Sequence, residues 1–101
     1  MKFSCTKENL VQALGLVGSL AQKHVNLPIL SNVLLKVEEQ KVELSATNLE
    51  IAITAHVRAK VEEAGSFTVP ARTFADIISL TRDEKIEIIN LHGNGYRLLV
   101  K

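Results

Sequence analysis

The residue types that could do chemistry are few in this chain, and they stand apart. His24, His56 and His92 have no spacing that would bring them onto one metal ion. Cys5 is the one cysteine, so no internal disulfide can form, and its place between Phe3 and Lys7 in a strand-like run reads as a buried thiol. No serine stands in a G-x-S-x-G elbow, and neither G-x-G-x-x-G nor a P-loop pattern occurs. Asp76 and Asp83, beside Arg72 and Arg82, read as charge pairing at helix ends. Without a catalytic constellation, the expectation is a binding or assembly protein that needs no metal and no cofactor. The side chains left to consider are cations. Arg72 falls on the solvent side near the start of a short helical stretch, and Lys23 and His24 follow the end of an earlier one. Two helices lying side by side would put these three residues on one surface. A plainly solvated helical face is the competing reading.

The elements that must position them can be read in order. Met1 to Cys5 reads as a strand. Thr6 then offers an N-cap, with Glu8 in the first turn where the helix dipole favours an acid. Leu10, Ala13, Leu14, Val17, Leu20 and Ala21 recur at helical spacing and form one apolar stripe. Gly15 and Gly18 lie inside this helix, each costing about 1 kcal/mol against alanine. After a polar connection at 22–26, the run LPILSNVLLKV leads into a strand predicted over 29–38, with Pro28 entering before the sheet needs its missing N–H. Alternation aims Ile29, Ser31, Val33, Leu35 and Val37 at the helices and Leu30, Asn32 and Leu34 away from them. Ser31 is small enough to lie under a helix. Glu39-Gln40 reads as a tight turn, and 41–47 as a strand with Val42, Leu44 and Ala46 inward. A third strand follows Asn48, with Leu49, Ile51, Ile53, Ala55 and Val57 inward.

The second half begins again. Residues 62–66 read as a polar link, 67–69 as a strand, Pro70-Ala71 as the entry to a helix over 73–80 with Phe74, Ile77 and Ile78 as its apolar face. Two more strands, 85–90 and 96–101, are joined through His92-Gly93-Asn94-Gly95, a strong hairpin signal. An offset of 64 positions lays Phe3 on Phe67, Cys5 on Val69, Leu10 on Phe74, Ala13 on Ile77, Leu14 on Ile78 and Leu16 on Leu80. The expected architecture is therefore α+β, with two pseudo-repeated β-α-β-β-(β) units whose two helices pack on antiparallel sheet. The second unit has one strand fewer than the first. Its last strand would be an open edge, left by truncation of something longer or closed by a neighbour.

Bulk properties narrow the function classes. The 101 residues suit one small domain, 47% apolar and 23% charged, with no Trp, one Tyr and three Phe. A formal net charge of +1 gives no bulk electrostatic argument for nucleic acid or for a membrane surface. The opening MKFSCTKENL lacks the apolar core of a signal peptide, and no apolar run approaches the roughly 20 residues of a membrane span. A cytoplasmic protein is the expectation.

In combination, MKF with its following helix, LPILSNVLL, the T-N-L-E of Thr47 to Glu50, and FTVPAR before a short helix resemble the N-terminal domain of the bacterial sliding-clamp family, the beta subunit of DNA polymerase III. The resemblance runs over the whole chain in the same order. It implies the DNA clamp fold, and residues 1–101 as the first of three such domains, truncated at the C-terminal edge. It further implies subunits joined head to tail as a homodimer ring around double-stranded DNA, tethering DNA polymerase III and served by a clamp loader, with no catalysis. By position, Arg72 in V-P-A-R matches a DNA-contacting arginine of the family's inner surface. His24 falls where the family often has arginine; a neutral imidazole adds little there, and Lys23 would supply the charge instead. The alternative is a generic α+β interaction module without a DNA role.

Overall fold

Thr6 ends the first strand and starts the first helix in one step. Its hydroxyl oxygen accepts a hydrogen bond from the Asn9 N–H at 3.3 Å, which satisfies one of the helix's unpaired first-turn donors. The computed structural model describes residues 1–21, 28–91 and 97–100. In chain order these form β1 (Lys2–Thr6), α1 (Lys7–Gly18), a single 3-10 turn (Pro28–Ser31), β2 (Asn32–Glu38), β3 (Lys41–Thr47) and β4 (Ala52–Arg58). There follow β5 (Lys60–Glu63), β6 (Gly65–Pro70), α2 (Ala71–Leu80), β7 (Lys85–Leu91) and β8 (Arg97–Val100).

The strands divide into two antiparallel sheets, with orders β5-β1-β7-β8 and β4-β3-β2-β6. Each opening strand pairs with a strand of the other half, β1 lying between β5 and β7. β1 registers Phe3 against Ile88 and Cys5 against Ile86, while β6 registers Val69 against Val33 and Phe67 against Leu35. The two halves are thereby interlocked, and neither sheet is built from one stretch of chain. Their inner faces meet in one core with the helices: Phe3, Cys5, Ile86 and Ile88 from one sheet, Val33, Leu35, Val42, Leu44 and Val57 from the other, and Leu10, Leu14, Val17, Phe74 and Ile78 from α1 and α2. With few aromatics, this core is filled by branched aliphatic side chains, and truncating one such as Leu10 to alanine costs about 2–5 kcal/mol.

Several expectations change in detail. The strand foreseen from residue 29 starts at Asn32, because Pro28 opens a 3-10 turn instead of joining the ladder. Within β2 the alternation is as read: Val33, Leu35 and Val37 are buried while Leu34 faces solvent. Asn32 donates from Nδ2 to the Thr68 hydroxyl across the strands, 3.4 Å away. The Glu39-Gln40 loop takes positive φ at both residues, 44° and 69°, the twist that joins two strands through two residues. β4 begins at Ala52, so Leu49 and Ile51 are not inward strand residues; both are exposed. They sit on a turn tied by Asn48, whose Oδ1 accepts from the Glu50 and Ile51 amides, and by Thr47, whose hydroxyl donates to the Ile51 carbonyl. The polar link at 62–66 contains the end of β5, a strand that patterning missed; it borders β1. On α2, Ile77 is exposed, and Ala71 joins Phe74 and Ile78 in the core. Leu16 and Leu80, matched by the offset of the two halves, are both exposed. The His92–Gly95 connection lies outside the described residues.

Candidate nucleic-acid interface

α1 and α2 lie against each other, α1 also packing on β1, β3 and β4, and α2 on β6. Their contact is fixed at one end by Lys7. Its Nζ donates to the Ser79 carbonyl at 3.1 Å and the Thr81 carbonyl at 2.6 Å, and its own amide donates to the Glu84 carbonyl at 2.7 Å. An ammonium at the carbonyl end of α2 meets the negative end of that helix's dipole. Lys7 is thus consumed within the fold, a role that no short-range spacing in the sequence reveals because the partners lie more than 70 residues away.

Arg72 is placed quite differently. It lies in the first turn of α2, exposed, where Pro70 supplies no side-chain cap and where the positive end of the dipole disfavours a cation. The Arg72–Asp76 pairing expected at this helix does not form: neither Arg72 nor Arg82 takes an ion pair among the described residues. The ion pairs lie on the sheets instead, such as Lys2 with Glu62 at 3.0 Å and Lys36 with Glu38 at 3.8 Å. Arg72 stands at the mouth of a cleft of about 530 Å³ between the end of α1 and the start of α2. Lys23 and His24 lie outside the described residues, so the structure does not join them to Arg72.

At the opposite end of the helix pair, Glu8, Asp83 and Glu84 line a second cleft together with Lys7 and Arg82. Among the described residues the charge of the helical surface is therefore uneven, with the Arg72 guanidinium at one end and an acidic surplus at the other. Among the described residues no group of three or more His, Cys, Asp or Glu side chains is arranged to hold a metal ion. Cys5 is buried against the core, and its burial pushes the thiol from an ordinary 9.0 up to about 11. No helix among the described residues is long and apolar enough to cross a membrane.

A family model described as the DNA polymerase III beta subunit, N-terminal domain, matches residues 1–101. The chain belongs to this family. The beta sliding clamp of Vibrio cholerae is 40% identical over 95 residues, covering 93% of this chain and 26% of that protein. The beta sliding clamp of Pseudomonas aeruginosa is 41% identical over 103 residues, covering 100% of this chain and 27% of its own length. Among solved structures, a DNA polymerase sliding clamp from Caulobacter crescentus superposes with a TM-score of 0.91 at 31% identity, over 100% of this chain and 27% of that one. The chain thus spans about a quarter of the length of these sliding clamps. The α+β clamp fold, with two helices and two antiparallel sheets, is the one found in these clamp structures.

Proposed function

We propose that this chain serves as the first domain of a ring-shaped clamp that encircles double-stranded DNA, with α1 and α2 turned to the duplex. The observation that carries the reading is Arg72: an exposed guanidinium without an ion-pair partner among the described residues, held where the helix dipole works against it. A cation so placed adds nothing to the stability of α2, and its reach is toward an anion from outside the fold. Lys23, which follows α1 in the sequence, supplies a second phosphate contact, and His24 a weaker one. A ring retains DNA by topology, so its contacts need only be sparse and directed at the phosphate backbone. The near-neutral overall charge accords with this economy.

The further domains of the ring come from a longer protein of the kind represented by the relatives. Through that protein the domain would take part in tethering DNA polymerase III, in handling by a clamp loader and in a homodimer, without catalysing a reaction, in the cytoplasm. One observation favours the alternative, an interaction module with no DNA role: Glu8, Asp76, Asp83 and Glu84 offset Lys7, Arg72 and Arg82 on the helical side. A ring-forming protein that carries this domain separates the two. It should stay on a closed circular duplex and run off once the circle is cut, and Arg72→Ala should weaken the salt-sensitive contact while the ring stays intact. Equal loss from circular and linear DNA would remove the clamp reading.

A further inference from the structure

The cleft beside Arg72 has the size and the chemistry of a small-ligand site. Its volume of about 530 Å³ falls in the range of roughly 300–1,000 Å³ typical of such sites. Leu14 and Ala21 form one apolar wall, Pro70, Ala71 and Ala75 the other, and the Arg72 guanidinium stands at the rim. No acidic side chain among the described residues lines it, and Arg72 has no ion-pair partner there. The second cleft, at the other end of the helix pair, is lined by Glu8, Asp83 and Glu84 against Lys7 and Arg82, an acidic surplus that disfavours an anion.

We propose that this cleft binds a small carboxylate bearing an apolar tail. The tail occupies the space between Leu14, Ala21 and Ala75, and the carboxylate takes the planar guanidinium of Arg72 in paired hydrogen bonds, the geometry that the two groups share. The apolar walls supply area-dependent affinity, and the Arg72 guanidinium orients the ligand and selects its charge. A ligand seated there would hold the same guanidinium that is proposed to meet DNA phosphate. The site itself stands apart from that reading, since no nucleic acid is needed to fill it.

The test is a nuclear magnetic resonance titration of the 101-residue chain with phenylbutyrate at low salt and without DNA. Saturable shifts are expected at the Leu14, Ala71 and Ala75 methyl groups, with none around Glu8 and Glu84. Arg72→Gln, a change on the exposed surface, should weaken binding at least about tenfold through the lost charge-assisted bonds. Ala75→Leu, which fills the space, should abolish it. The neutral analogue phenylbutanol should bind more weakly than the carboxylate by a similar factor. Absence of saturable shifts in the wild-type chain overturns the proposal, as does equal binding of the alcohol or unchanged binding by Arg72→Gln.

Discussion

Lys7 and Arg72 are both cations at helix ends, yet they do opposite things. Lys7 spends its charge on the carbonyls of Ser79 and Thr81, so Lys7→Met should destabilise the domain by about 1–2 kcal/mol, read from the urea midpoint. Arg72→Ala should leave that midpoint unchanged within about 0.5 kcal/mol, because its side chain is exposed and takes no ion pair among the described residues. Cys5 gives a pH-dependent counterpart. The folded thiol holds its proton until about pH 11, whereas the unfolded thiol gives it up near its ordinary 9.0. Between these values the unfolded chain binds fewer protons, so stability falls as pH rises through that window and is undiminished below it. Denaturation at about pH 8 and about pH 10 should show this slope, and Cys5→Ala should lose it. The burial of Cys5 was legible from its strand context. The task of Lys7 was not, because it depends on two helix ends that only the folded chain brings together.

At the scale of the elements, periodic apolar spacing was the reliable signal. It located α1 by Leu10, Ala13, Leu14 and Val17, and β3 by Val42, Leu44 and Ala46, all of them buried. It failed where apolar residues serve turns or surface. Leu49 and Ile51 continue the alternation of β4 on paper, but the Asn48 and Thr47 hydrogen bonds build a turn there, with Leu49 at φ 80°. Ile77 extends the stripe of α2 but rotates out to solvent. Two substitutions test the local energetics. An added Cβ at Gly15 meets nothing within 4 Å, so Gly15→Ala should stabilise the domain by about 1 kcal/mol, seen as a raised melting temperature. Gln40 sits at φ 69° in the two-residue loop between β2 and β3, where a side chain is strained; Gln40→Gly should likewise raise the melting temperature, by an amount worth about 0.5–1 kcal/mol.

For the whole molecule, the feature least visible in the sequence is the exchange of strands between halves. Apolar matching suggests two similar units, but nothing local says that β1 will pair with β7 and β6 with β2. That exchange sets the two helices side by side over a single core, and so decides that α1 and α2 present one shared surface. The candidate site was legible in part. Arg72 stood out by its place at the head of a helix, whereas the cleft at its side depends on the packing of α1 against α2. The acidic end of the helix pair likewise appears only in the fold, since Glu8 and Glu84 meet from distant parts of the chain. The most direct measurement is the salt dependence of duplex binding at low ionic strength, for the wild-type chain and for Arg72→Ala. If the helical face meets the phosphate backbone through Arg72, the substitution lowers the slope of log affinity against log salt by about 0.9, equally for duplexes of unrelated sequence. An unchanged slope, or a loss confined to one sequence, would contradict it.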